Sequence, residues 1–350
     1  MDIILILLVI VLCMCVIGLH FKSTNKICKS KIRLDGKTCL VTGGTSGVGL
    51  EIALDFAMRG ARVIVACPFE DEGIEAREKI VQESGNDNVE FKLLDLGSFK
   101  SVRDFAADFI KAEDRLDILM NNAGVGIPDS LTTDGLHIIM QVNYLGAFLL
   151  TILLLPLLKK TGTPSAPSRI VNTTSVLHRI AMLDLNDLNM DVGCNLIKRL
   201  IYYGDSKLSL MLFSRELTKR LKGANVVINN ADPGEVGTRI FYSSGVILGF
   251  VLSLVLFFLS KTPFEGAQTP IHAAVDEKTG KYSAKYFRNC TMQSPSNGSS
   301  DIESAKKLWE QSVAVVNLSK DVCEVGPTHV KNGKMQHMGG LFIVSLRLFC

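Results

Sequence analysis

The stretch VTGGTSGVGLE, residues 41–51, decides the fold. An apolar run, KTCLVT (37–42), leads into it, and GLEIALDFAMRG (49–60) follows with apolar residues at helical spacing and a stop at Gly60. Gly43, Gly44, Gly47 and Gly49 therefore fall at a strand-to-helix turn. Glycines there let the backbone approach a pyrophosphate, which the amides at the helix N-terminus can hold. The spacing is T-G-x-x-x-G-x-G, not the commoner G-x-G-x-x-G. Many turns are rich in glycine, so the flanking pattern has to decide.

Outward from this turn the pattern alternates. ARVIVA (61–66) reads as a strand, EGIEAREKIVQES (72–84) as a helix and VEFKLLDL (89–96) as a strand. SFKSVRDFAADFIKAE (98–113) is helical, LDILMNNAG (116–124) a strand, and a helix is expected around 134–158. RIVNTTS (169–175), a helix around 202–222, and NVVINNADPG (225–234) continue the rhythm. Near-continuous apolar strands separated by helices indicate a parallel sheet covered on both faces. The crossover rule then gives a doubly wound, Rossmann-like α/β domain. TGTPSAPS (161–168) is expected as a surface connection and NCTMQSPSNGSSD (289–301) as a loop.

The bulk composition excludes several classes. The chain has 350 residues, 47% hydrophobic and 21% charged, with a net charge of +3 and no basic stripe interleaved with aromatics, which argues against a nucleic-acid partner. Nine cysteines without C-x-x-C spacing or Cys/His clusters argue against a disulfide framework and a metal site. Ile3 to Leu19 carries no charge and no proline, close to the length of a spanning helix. Asp2 precedes it, and Lys22, Lys26, Lys29, Lys31 and Arg33 follow, the reverse of a cleaved signal peptide. Residues 1–21 are thus read as a membrane anchor, 22–34 as a basic linker on the cytosolic side, and 35–320 as the single folded domain. The apolar stretch 245–260 is short for a span and is read as a flap or membrane-contacting segment; the tail 321–350 has no evident role.

YYGDSK (202–207) places Tyr203 one helical turn from Lys207. A neighbouring cation favours a phenolate, so such a pair can serve as a general acid and base. Together these motifs resemble the short-chain dehydrogenase/reductase family over about residues 35 to 318. The resemblance rests on Thr42 to Gly49, Asp95, NNAG (121–124), Asn143, Ser175, Tyr203 with Lys207, and DPGEVGT (232–238). It implies hydride transfer between a nicotinamide cofactor and a carbonyl or alcohol. Tyr203 would move the proton, and Lys207 would lower its pKa and hold the ribose. Ser175 would donate to the substrate oxygen, and Asn143 would position a relaying water. Gly43, Thr45, Ser46, Gly47, Val48, Gly49, Asp95, Leu96, Asn122, Ala123, Gly124, Pro233, Gly234, Val236 and Thr238 would bind the cofactor with Tyr203 and Lys207. No metal is required. Thr173 and Thr174 are read as structural, and His178 as facing solvent.

The anchor and the runs RGARVIVAC, LGAFLLTILLLPLL and KTPFEGAQTPIHAAV resemble the membrane-anchored, retinol dehydrogenase-like branch. That branch implies a retinoid, steroid or lipid-derived substrate, an endoplasmic reticulum membrane with the domain facing the cytosol, and pairing into homodimers. Cys67 stands where an acidic residue would favour NAD(H), and Pro68 where the branch has an arginine for the 2′-phosphate of NADP(H). Glu70, Asp71 and Glu72 would oppose that phosphate. Branch resemblance favours NADP(H) over NAD(H). Asp232 stands where histidine or asparagine is frequent, and Tyr144-Leu145-Gly146-Ala147 replaces His-Leu-Gly-His; both departures are expected to alter the pocket. The alternative to an enzyme is a nucleotide-binding or membrane-surface lipid-binding protein that keeps the fold. Of the N-x-S/T sequons at Asn172, Asn289, Asn297 and Asn317, Asn172 falls in a strand and is expected to be unused.

Overall fold

The computed structural model describes residues 25–236 and 260–319. The anchor 1–21, Thr238, all of 245–260 except Ser260, and the tail 321–350 lie outside the described residues.

The strands are β1 (Thr38–Thr42), β2 (Arg62–Cys67), β3 (Val89–Leu93), β4 (Ile118–Asn121), β5 (Ser168–Thr173), β6 (Val226–Asp232), β7 (Tyr286–Arg288) and β8 (Thr291–Gln293). They form one sheet in the order β3-β2-β1-β4-β5-β6-β7-β8. All neighbours are parallel except β7 and β8. The order reverses between β1 and β4, so the carboxyl ends of these strands open a crevice where open α/β sheets take their ligands. The expected loop 289–301 contains β8; three residues carry too little periodicity to be read as a strand.

The helices are α1 (Gly47–Met58), α2 (Glu70–Ser84), α3 (Phe99–Ala112), α4 (Ile138–Thr161), α5 (Leu196–Arg220), α6 (Pro263–Val275) and α7 (Ile302–Val315). Successive strand residues serve opposite faces. Cys39, Val41, Val63 and Val65 pack beneath α1 and α6, whereas Leu40, Ile64 and Ala66 join the core formed with α3, α4, α5 and α7. Phe148, Phe213 and Trp309 form the aromatic centre of the second core, with ring centroids 5.1 to 6.0 Å apart.

α4 is long and apolar enough to cross a membrane, but 83% of its apolar window is buried inside the domain, so it serves as a core helix. Its first turns contain a π-turn at Gln141–Leu145, a local widening that often marks functional sites. α5 starts at Leu196, six residues earlier than expected, capped by the Asn195 side chain, which accepts from the Lys198 amide. Residues 25–34 lie against the domain. Arg59 donates to the carbonyls of Ser30 and Ile32, and the Cys28 amide donates to Gln268 on α6.

Candidate active site

The turn after β1 is built around close backbone approaches. Gly43 has φ +62°, and a Cβ there would come within 2.8 Å of the Ala123 Cα. Thr42 Oγ1 donates to the Met120 carbonyl and accepts from the amides of Asn122 and Ala123, which ties β1 to β4 across the crevice. The Asn122 carboxamide donates to the carbonyls of Thr42 and Gly43, each at 3.2 Å, and accepts from Thr173 Oγ1. Asn122 thus shapes the glycine turn through its side chain. Ser46 precedes α1, and its side chain makes no capping bond, which leaves the first amides of the helix without a side-chain cap. Thr45, Ser46 and Gly47 therefore frame an amide-lined cradle that fits a pyrophosphate. Val48 and Val236 converge on Gly266 of α6, where a Cβ would meet both side chains. Pro233 and Gly234 follow β6 on the same crevice side. Asp95 is exposed beyond β3, its Oδ1 accepting from the Gly97 amide at 2.7 Å, and Leu96 is buried beside it.

The second group lies at the ends of β5 and α5. Lys207 is buried, and its Nζ donates to the Thr173 carbonyl at 3.0 Å. The same Nζ lies 5.4 Å from the centre of the Tyr203 ring, as the four-residue helical spacing requires. The Ser175 side chain lies beside the Tyr203 hydroxyl. Asn143 sits in the π-turn of α4. Its Oδ1 accepts from the Val125 amide at 2.7 Å, and its Nδ2 donates to the Val125 carbonyl and to Ser206 Oγ. A Cβ on Gly124 would lie 3.2 Å from Asn143 Oδ1 and 3.5 Å from Lys207 Nζ. Ser175, Tyr203, Lys207, Asn143 and Gly124 thus come together from four separate parts of the chain.

The electrostatics correct one expectation. Burial pushes the Tyr203 phenol up to about 12, Asp232 adds to the rise, and the neighbouring Ser175 side chain opposes it. Burial pushes Lys207 down to about 8, against the attraction of Asp232. The expected lowering of Tyr203 by Lys207 is therefore not produced by the protein's own groups, because the Tyr203 hydroxyl and the Lys207 ammonium are both withdrawn from water. Both ends of the Asn143 carboxamide are bonded to Val125 and Ser206, which makes it a brace for the Gly124–Val125 segment.

Two further expectations change. His178 is 1% exposed, not solvent-facing. Its Nε2 accepts from the Ser296 amide at 3.1 Å, which leaves Nδ1 to donate to the Ser175 carbonyl at 2.7 Å. Tyr144 does not enter the pocket but is fully buried in the aromatic core, its hydroxyl paired with Ser312 Oγ at 2.6 Å. Gly146 packs on Leu96, where a Cβ would come 2.5 Å from the carbonyl oxygen. Asn172 is fully buried in β5, as its place in a strand requires.

Asp205, on α5 between the two candidate catalytic residues, carries no sequence signal of its own. Burial pushes its carboxyl up to about 6, against the Met182 amide that donates to Oδ1. The folded chain thus keeps a proton that the unfolded chain releases near pH 4. The associated stability is complete below about pH 4 and is lost as the pH rises through about 6. Asp205→Asn keeps an acceptor for Met182 and removes the charge. It should stabilise the fold by about 3 kcal/mol near neutral pH and have little effect near pH 4. Thermal unfolding at both pH values tests this, and an equal effect at both would rule it out.

Comparison with known proteins agrees with this fold. The short chain dehydrogenase family profile matches residues 37–185. Retinol dehydrogenase 13 of Homo sapiens is 39% identical over 300 residues, covering 84% of this chain and 89% of that protein. Retinol dehydrogenase 11 of Mus musculus is 40% identical over 300 residues, covering 85% and 92%. Among solved structures, the Pseudomonas aeruginosa RhlG/NADP active-site complex superposes with a TM-score of 0.59 at 25% identity, covering 73% of this chain and 95% of that one.

Proposed function

Since the chain belongs to the short-chain dehydrogenase/reductase family, in its retinol dehydrogenase-like branch, we propose that it reduces a retinoid or a similar hydrophobic carbonyl with NADPH and can run the reverse oxidation. The observation that carries this reading is the meeting of Ser175, Tyr203 and Lys207 beside the glycine turn. The cradle of Thr45, Ser46, Gly47 and the α1 amides fits the pyrophosphate, with Gly43 and Gly49 permitting its approach. Asp95, Leu96, Ala123 and Gly124 border the same crevice, and Pro233, Gly234, Val236 and Thr238 would complete the binding set. When bound, the cofactor supplies the hydride. Tyr203 then gives its proton to the carbonyl oxygen, and Ser175 donates a hydrogen bond to that oxygen as its charge develops. Lys207 holds the ribose with the protons not given to Thr173. A phenol raised to about 12 stays protonated at neutral pH, which suits a proton donor in the reductive direction.

NADP(H) is favoured by the absence of a carboxylate at Cys67 and by the NADP complex of the structural relative. Glu70, Asp71 and Glu72 are exposed in the first turn of α2, where the helix's own amide end attracts them. Residues 1–21 are proposed to anchor the chain in the endoplasmic reticulum membrane with the domain in the cytosol. Asn297 is exposed, so glycan on it would reverse that orientation.

The full chain in membranes, given retinal, a steroid ketone or a long-chain aldehyde with NADPH or NADH, tests the reading. Retinal reduction that is faster with NADPH is expected. Cofactor binding without turnover of any of these carbonyls would refute the proposal.

A further inference from the structure

Ser175 is carried by a short turn that is fastened on three sides. Val176–Ile180 forms a 3-10 turn after β5, with Ser175 at its cap position, where Oγ accepts from the Leu177 amide at 3.3 Å. A single turn of this kind has poor internal hydrogen-bond geometry, so its place depends on what holds it. The first fastening is His178. The Ser175 carbonyl accepts twice from this residue, from the backbone amide at 3.1 Å and from Nδ1 at 2.7 Å. On the far side of the ring, Nε2 accepts from the Ser296 amide at 3.1 Å.

The imidazole thus spans from Ser175 to the 294–296 segment. Tyr286 of β7 stands edge to face on the ring with centroids 5.2 Å apart, and Arg179 Nη2 donates to the Ser294 carbonyl at 2.8 Å. The second fastening is α5. A Cβ on Gly204, the residue after Tyr203, would come 2.5 Å from the Leu177 carbonyl oxygen, so glycine there lets the turn lie directly against the helix. The third is the Met182 amide, which donates to Asp205 Oδ1 at 2.6 Å.

We propose that His178 is a positioning residue: it fixes the backbone of Ser175 between the 294–296 segment and α5, and so holds Ser175 Oγ where the substrate oxygen meets Tyr203. This deepens the proposed function and rests on its assignment of Ser175 and Tyr203. The effect reaches the reacting group through the main chain, because the carbonyl that the imidazole holds and the hydroxyl that meets the substrate belong to one residue. A hydrogen-bond donor aimed at a developing charge loses most of its effect when it is displaced by about 1 Å. A neutral imidazole suits the task, since it offers a donor on one nitrogen and an acceptor on the other. The ring is 1% exposed, and burial disfavours a second proton on it, which keeps Nε2 free to accept.

The two ring bonds can be removed one at a time. In His178→Asn the carboxamide nitrogen takes the place of Nδ1 and keeps the bond to Ser175, while nothing reaches Ser296. In His178→Gln the carboxamide oxygen takes the place of Nε2 and keeps the bond to Ser296, while Ser175 is released. Each variant loses one bond and part of the ring, so a merely structural role would affect both alike. With the full chain, retinal and NADPH, His178→Gln should lower kcat by about a hundredfold with KM little changed, and His178→Asn by no more than about threefold. In a Ser175→Ala background the Gln substitution should add nothing, since the group it misplaces is gone. Gly204→Ala is favoured by helix propensity and leaves the surroundings of His178 intact. It should lower kcat by about tenfold by pushing the Leu177 carbonyl off α5. Hydrogen exchange of the Leu177 and His178 amides, which needs no turnover, should quicken about tenfold in His178→Gln and not in His178→Asn. Equal losses of kcat in the Asn and Gln variants, a full Gln effect without the Ser175 hydroxyl, an unaltered kcat in Gly204→Ala, or unchanged exchange in His178→Gln would each overturn the proposal. A wild-type chain that turns over none of the carbonyls would refute the proposed substrate, and the exchange rates would still decide the role of His178.

Discussion

Tyr203→Phe should lower kcat for retinal reduction by roughly a thousandfold, with KM and cofactor affinity little changed. The change removes one oxygen from a residue that is only partly buried and whose ring edge belongs to the core around α4 and α5. The only polar neighbour that loses a partner is the Ser175 side chain, so the cost to the fold should stay within about 1 kcal/mol. The cost to the chemistry is far larger. Without the phenol, the developing alkoxide has Ser175 as a hydrogen-bond donor but no proton source within the cluster. The alternative donor is Lys207, which is half deprotonated at about pH 8 and already bonded to the Thr173 carbonyl. Steady-state kinetics with calorimetry of NADPH binding would check both halves of the expectation. A variant that retains more than about a tenth of the wild-type kcat would show that another group donates the proton.

Much of this arrangement could be read from the sequence, for identifiable reasons. The strands β1, β2 and β4 announce themselves as near-continuous apolar runs because both faces of the sheet are covered there, whereas β3 at the edge alternates with Glu90 and Lys92. The glycines of the first turn are legible because backbone is packed against backbone at Gly43 and Gly49. Tyr203 and Lys207 share a helix, so spacing alone pairs them.

What stayed hidden depends on contacts between distant residues. The burial of His178 follows from the 294–296 segment folding over it, 118 residues away. The burial of the Asp232 carboxylate depends on Tyr286 of a three-residue strand that carries no periodicity. The π-turn that aims Asn143 at Val125 leaves no trace in a helical pattern. The balance of proton affinities is not legible in the sequence, because adjacency to a cation is visible there and desolvation is not. The place of Tyr144 in the sequence points to the pocket, yet α4 turns it toward Phe213 and Ser312.

Gly49→Ala should be nearly as damaging as the loss of the phenol, through the backbone alone. By intrinsic propensity the substitution ought to help, since alanine is favoured over glycine within a helix by about 1 kcal/mol. The packing decides otherwise. A Cβ at position 49 would stand 2.0 Å from the Gly43 carbonyl oxygen and 2.5 Å from Asn122 Nδ2. Neither neighbour is the free end of a flexible side chain. The Gly43 carbonyl belongs to a turn fixed at φ +62°, and the Asn122 amide is bonded to the carbonyls of Thr42 and Gly43. α1 must therefore move away from the turn, and overpacking of this kind costs about 3 kcal/mol. The same movement draws the amides at the start of α1 away from the cradle, so NADPH affinity should fall by roughly a hundredfold. Gly298→Ala is the matching control, since a Cβ there meets nothing within 4 Å. Thermal unfolding and calorimetric NADPH titration of both variants would test the argument. If Gly49→Ala bound NADPH as tightly as the wild-type chain, the close approach of α1 to the glycine turn would not be what shapes the cofactor site.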